Sequence, residues 1–155
     1  VDKQQAGGVG CRVVDLRDNA GGFFRAGVDA ASIFLPKGKE EVSVMNAKGA
    51  SDSFSTDKDG SDTTTPLFLL VNENTASASE IMTGALKDNG RASVVGSKTF
   101  GKGVVQTVSP LDDGSGVAVT IARYLTPNKV SINLKGIEVD SPDTSKMCPD
   151  PYPGL

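Results

Sequence analysis

Twice along this chain a short aliphatic run is followed by a polar turn and then by apolar residues at helical spacing. Cys11-Arg12-Val13-Val14-Asp15-Leu16 reads as a buried strand, Arg17-Asp18-Asn19-Ala20-Gly21-Gly22 as a glycine turn, and Phe24, Val28, Ala31 and Leu35 recur on one helix face up to Pro36. The order repeats in Leu67 to Val71, the turn Asn72 to Thr75, and Ala78, Ile81, Met82, Ala85 and Leu86 at i, i+3, i+4, i+7 and i+8. Two strand-loop-helix units predict an α/β domain with both loops at the carboxyl ends of a sheet, where sites in such folds form.

The rest of the chain supplies further strands. Glu41 to Met45, Ala92 to Val95, Val104 to Val108 and Val117 to Leu125 are expected in β conformation, the last two joined by the turn-rich Pro110 to Gly116. Residues 46–65, rich in Ser, Asp, Thr, Lys and Gly, read as a surface loop, and the segment after Asp140 as an irregular tail. A length of 155 residues with 37% apolar and 23% charged content suits one domain with a sizeable core.

Composition also excludes partners. A formal charge of −3 provides no footprint for nucleic acid, and no basic run is dense enough for an anionic membrane surface. Pro66 to Val71, the longest apolar run, is far short of the roughly 20 residues that a membrane-spanning helix needs. Val1 is not an initiator Met and no leader follows it, so the chain is expected to be a mature form or an excised piece. Cys11 and Cys148 lie near opposite ends, where a disulfide would close a long loop in an oxidising compartment, and no His or Cys cluster has metal-ligand spacing.

The absence of histidine directs the chemistry. Without an imidazole, neither a Ser/His triad nor a Cys/His pair can be assembled, and an activated serine must use another base, for which lysine is the known substitute. Ser77, in Thr75-Ala76-Ser77-Ala78-Ser79-Glu80-Ile81, is the candidate nucleophile, and Lys102, in Phe100-Gly101-Lys102-Gly103, the candidate base. Each also has a plain reading. Ser77 with Glu80 three residues on fits a capping box, and Lys102 fits a solvated loop lysine. The readings of Ser77 are compatible, because a serine at a helix N-terminus sits where backbone N–H groups favour negative charge. Phe100, Val104 and Val105 would desolvate Lys102, as a lysine base requires. Gln106 is either its orienting amide or an exposed strand residue. Gly21 and Gly22 are either a helix-starting turn or, with Ala78, backbone donors to an oxyanion, each typically worth about 3 kcal/mol in the transition state.

Several of these motifs occur together in one register. Leu16-Arg17-Asp18-Asn19-Ala20-Gly21-Gly22, Val71 through Ile81, Gly84-Ala85-Leu86-Lys87-Asp88-Asn89-Gly90-Arg91-Ala92, Gly96 through Gly103 and Gln106 resemble, in order and spacing, the C-terminal processing (tail-specific) serine peptidases. The resemblance runs over residues 12–140 and includes Ala122-Arg123-Tyr124-Leu125-Thr126-Pro127 and Lys135-Gly136-Ile137. Ala20 stands where the family usually has proline or glycine.

The resemblance implies a crotonase-like α/β core, incomplete on its N-terminal side, in which Ser77 attacks the scissile carbonyl, Lys102 moves the proton, and Gln106 orients Lys102. Ala78, Gly21 and Gly22 would form the oxyanion hole, Glu80 would give support, and no cofactor or metal would be involved. Residues 1–140 would be the later part of the catalytic core and 141–155 a tail. Family members are about two or three times longer, with an N-terminal helical region and a PDZ domain that captures a substrate's C-terminal tail by strand addition. The implied partners are proteins with exposed C-terminal tails, with membrane contact only through the substrate. The implied setting is the thylakoid lumen, where the family trims a photosystem II reaction-centre precursor, or the bacterial periplasm. The segment 140–155 is more similar to photosynthetic members. Two other functions remain open: a non-catalytic peptide-binding fragment of this fold, and acyl transfer on a small ester or thioester, which crotonase-like folds also support.

Overall fold

The computed structural model describes residues 9–49 and 51–148. In chain order the elements are β1 (Arg12–Asp15), α1 (Phe24–Ser32), β2 (Glu40–Asn46), β3 (Ser51–Ser55), β4 (Leu67–Val71), α2 (Ala78–Asp88), β5 (Ser93–Gly96), β6 (Val104–Pro110) and β7 (Gly116–Leu125). They form two sheets where the sequence suggested one. A parallel sheet has the order β1-β4-β5, and an antiparallel sheet the order β3-β2-β7-β6.

Both strand-loop-helix units are present, and β1 pairs in parallel with β4 from Arg12 opposite Leu67 to Asp15 opposite Leu70. Their loops therefore leave the same sheet edge. β4 lies between two neighbours, so four of its five residues are buried. β1 is an edge strand with Val13 and Asp15 exposed, not the buried strand expected. α1 ends at Ser32, earlier than its apolar spacing suggested: Pro36 disfavours helix at Leu35, and the Ser32 hydroxyl bonds to the Val28 carbonyl and to Glu41. Leu35 is nevertheless fully buried beyond the helix end.

α2 contacts both sheets, through β2 and β5, and packs along α1. Its sequence pattern is amphipathic, yet every residue from Ala78 to Leu86 is buried. Met82, Ala85 and Leu86 join Leu16, Leu35, Leu69, Val71 and Val94 in the larger core cluster, while Ile81 faces Val28, Val42 and Tyr124. Burying a Leu or Met side chain of this kind contributes about 1.5–3 kcal/mol, so α2 is held mainly by packing.

Residues 46–65 are not all loop. Ser51–Ser55 forms β3 against β2, with Ser43 opposite Ser53, although Ser-Asp-Ser-Phe-Ser has little strand propensity. Phe54 supplies the anchor, its ring centroid 5.0 Å from that of Phe24. The following segment brings in Asp62, which is buried and ion-paired with Arg12 of β1, while Arg91 donates to the Asp62 and Thr65 carbonyls at 3.0 and 2.8 Å.

Of the expected tail, residues 149–155 lie outside the described residues; 141–148 are irregular apart from a 3-10 turn at Thr144–Lys146, but they are tied down. Ser141 bridges to Val95 beside β5, and Cys148 is disulfide-bonded to Cys11, which precedes β1, with Cα atoms 5.6 Å apart. The tail thus reaches both outer strands of the parallel sheet.

Candidate active site

The strand-to-helix turn after β4 holds Ser77 in a backbone conformation that side-chain-bearing residues rarely adopt, φ +56° and ψ −119°. An ordinary N-cap sits in the extended region and needs no such strain. The capping-box reading is correct as far as it goes, for the Ser77 amide donates to Glu80 Oε2 at 2.9 Å, but it does not account for the positive φ. Strained single residues on strand-to-helix turns are how nucleophilic serines are held clear of the backbone.

Glu80 does more than cap. It is fully buried, and its Oε1 accepts from the Thr99 hydroxyl at 2.6 Å and the Gly101 amide at 2.7 Å, while Oε2 also accepts from the Lys102 amide at 2.8 Å. One carboxylate therefore joins the serine turn to the lysine loop. A backbone bond from the Phe100 amide to the Thr75 carbonyl at 3.0 Å adds a second tie. Thr99, which the sequence reading did not single out, also accepts from the Ile137 amide at 2.7 Å. Charge-assisted bonds of this kind are shorter and stronger than neutral ones, and a buried carboxylate needs such partners to remain in place.

The Lys102 backbone is fixed while its side chain is exposed, so the desolvation expected from Phe100, Val104 and Val105 is not found, Phe100 itself being exposed. Gly101 (φ +90°) and Gly103 permit this close packing: a Cβ on Gly101 would lie 2.7 Å from the Gly136 nitrogen, and one on Gly103 would lie 2.5 Å from the Asn133 nitrogen. The Ser77 hydroxyl and the Lys102 amine form no hydrogen bond with each other. Gln106 is exposed on β6, and its Nε2 donates to Thr120 Oγ1 at 3.3 Å, leaving Oε1 as the end that could receive an ammonium.

The first glycine loop meets the serine turn closely. A Cβ on Gly21 (φ +93°) would lie 2.6 Å from the Ala76 oxygen, 2.8 Å from the Ala78 nitrogen and 2.8 Å from Ser77 Cβ. The Gly21 amide itself donates to Asn19 Oδ1 at 3.0 Å, whereas the Gly22 amide has no acceptor among the described residues. Ala78 opens α2, so no intrahelical carbonyl can accept from its amide. A small cleft of about 180 Å³, lined by Leu16, Gly22, Phe23, Gly27, Ala78 and Met82, opens beside these donors. Phe23 at its rim is 88% exposed. Three larger clefts, of about 480, 460 and 440 Å³, contain none of the candidate site residues.

The family model for Peptidase family S41 matches residues 2–142. This chain belongs to peptidase family S41. The chain is 46% identical over 148 residues to the chloroplastic C-terminal processing peptidase of Tetradesmus obliquus, covering 96% of this chain and 32% of that protein. It is 48% identical over 128 residues to a carboxyl-terminal-processing protease of Synechocystis, covering 83% of this chain and 30% of that one. The solved structure of a photosystem II D1 C-terminal processing protease superposes with a TM-score of 0.85 at 45% identity, over 96% of this chain and 38% of that chain. The mixed α/β architecture is thus that of the S41 peptidases, and the chain spans about a third of the length of these relatives.

Proposed function

We propose that this chain carries the catalytic residues of a serine endopeptidase that cleaves near the C-terminal tails of protein substrates. Ser77 is the nucleophile, Lys102 the general base and Gln106 the residue that orients the lysine. The oxyanion is received by the Ala78 amide and the Gly21-Gly22 loop, with Gly22 as the donor because the Gly21 amide is engaged by Asn19. The observation that carries this reading is the strained backbone of Ser77 at the head of α2, beside the glycine loop and tied through Glu80 to the loop of Lys102.

In this scheme Lys102 takes the Ser77 proton as the hydroxyl attacks the scissile carbonyl, then gives it to the leaving amine, and water hydrolyses the acyl-enzyme. Glu80 keeps both loops in place and transfers no proton. Lys102 must swing towards Ser77 for the first step; its long side chain permits this, and catalytic hydrogen bonds often tighten only once substrate is bound. Residues 1–140 form the later part of the catalytic core in this reading, and a longer molecule supplies the tail-binding PDZ domain. The chloroplastic and cyanobacterial relatives support a photosynthetic setting, for which we propose the thylakoid lumen, with the bacterial periplasm as the alternative.

Hydrolysis of a peptide ending in a free C-terminal tail tests the assignment. Ser77→Ala and Lys102→Ala are each expected to abolish it while leaving the fold intact by circular dichroism. Robust turnover by either variant would remove the proposed roles.

A further inference from the structure

Residues 16–22 and 72–77 follow different strands, and their relative position sets where the Gly22 and Ala78 amides point. The Thr75 hydroxyl donates to the Leu16 carbonyl at 2.8 Å, and the Ala76 amide to the Asn19 carbonyl at 3.0 Å. The remaining bonds converge on Asp18. Its amide donates to Asn72 Oδ1 at 2.9 Å, and its Oδ1 accepts from Asn72 Nδ2 at 3.0 Å and Asn74 Nδ2 at 2.8 Å. Asn72 and Asn74 are part of the turn that leads into Ser77, with the Asn74 amide donating to Asn72 Oδ1 at 3.2 Å.

Asp18 is exposed and belongs to neither core cluster, so these bonds are not explained by burial. It also stands at φ +58°, a conformation that Asp and Asn tolerate better than most residues. The hydrogen bonds from Asn74 and Asn72 hold its carboxyl below the usual aspartate range, so it is a carboxylate at neutral pH.

We propose that Asp18 is a positioning residue for the hydrolytic reaction: by clasping Asn72 and Asn74 it fixes the Gly22 amide relative to the Ala78 amide, and so sets the spacing of the two oxyanion donors. This rests on the Ser-Lys reading above. Asp18 touches no reacting atom. Its contribution is realised in the transition state, where the oxyanion forms, and so belongs in kcat rather than in KM.

Because residue 18 has a positive φ, Asp18→Gly deletes the carboxylate without backbone strain, and Asp18→Asn keeps one oxygen to accept from Asn74. With a tail peptide as substrate, Asp18→Gly is expected to lower kcat about tenfold or more, with KM within about twofold, as a misplaced oxyanion donor would. Its thermal midpoint should stay unchanged, and Asp18→Asn should restore most of the rate. An unaltered kcat, or a loss of kcat that only follows a fall in the midpoint, overturns the proposal. Amide NMR of the labelled chain provides a readout independent of turnover: Asp18→Gly should shift the Gly22 and Ala78 resonances, and unmoved resonances overturn the clasp. Wild-type protein that shows no turnover while these resonances do shift would count against the Ser-Lys reading and not against the clasp.

Discussion

The two sheets differ in how much of themselves they bury. In the parallel sheet β4 is almost entirely buried between β1 and β5, and its Leu67, Leu69 and Val71 share a core cluster with Met82, Ala85 and Leu86 of α2. In the antiparallel sheet the β6–β7 hairpin runs beyond the end of β2, whose pairing with β7 stops at Ala122, and Val108, Val117, Val119 and Ile121 are exposed. Ser77, the proposed nucleophile, is placed by the packed half. Lys102 and Gln106 lead into or lie on the open half, and Glu80 connects the two. A strained serine requires a rigid surrounding, whereas a base that swings to its partner, as proposed for Lys102, requires room.

If this contrast is correct, the parallel half should carry most of the stability. The Cys11–Cys148 disulfide closes a span of 137 residues around it, and on the chain-entropy model its reduction should cost about 5 kcal/mol. Thermal unfolding with and without a dithiol measures this, and an unchanged midpoint would mean that the tail adds nothing. The buried Asp62–Arg12 pair comes next, and Asp62→Ala is expected to cost about 3–5 kcal/mol by leaving Arg12 buried without this counter-charge.

The same pair sets a pH dependence. Burial opposes the Asp62 charge, but the Arg12 side chain and the Thr64 and Thr65 amides hold the carboxyl well below its usual range. The folded state then binds fewer protons than the unfolded state, so this stability is complete above the ordinary aspartate value of about 3.9 and is lost as pH falls through that value towards the folded one. Acid titration of wild type and Asp62→Ala should show the slope in the first and less of it in the second.

The smallest effect is the sharpest comparison. Leu69, with no exposed surface on β4, should cost about 2–5 kcal/mol when changed to Ala. Val119→Ala, at a residue 48% exposed on β7, should stay within about 0.5 kcal/mol. Equal costs in denaturant titrations would mean that the hairpin is packed against something in solution.

How much was legible in the sequence depended on the range of the interaction. β4 and the start of α2 lie where their apolar spacing places them, because those patterns are local. β3 was missed because its residues have no strand preference, and only pairing with β2 and the Phe24–Phe54 contact select it. Ser77, Lys102, Ala78 and the glycine pair could be named from motif order. The contacts made by Thr99, Asn72, Asn74 and Asp18 could not, since a polar loop residue far along the chain carries no mark of the partner it will meet. Nor could the sequence distinguish Gly21 from Gly22, a difference that arises only because Asn19 turns back on one of the two amides.

By itself the sequence determined the alternation of strand, loop and helix and, since these 155 residues hold no histidine, which of their residue types could activate a serine. Local sterics and the available side-chain chemistry dictate both. Only the tertiary structure decided that Ser77 stands at a positive φ, that Glu80 binds the serine turn and the lysine loop at once, and that Cys11 and Cys148 meet. Each of these depends on bringing together segments distant in the chain, and the packing around α2 provides the free energy to hold the two loops of the site in place.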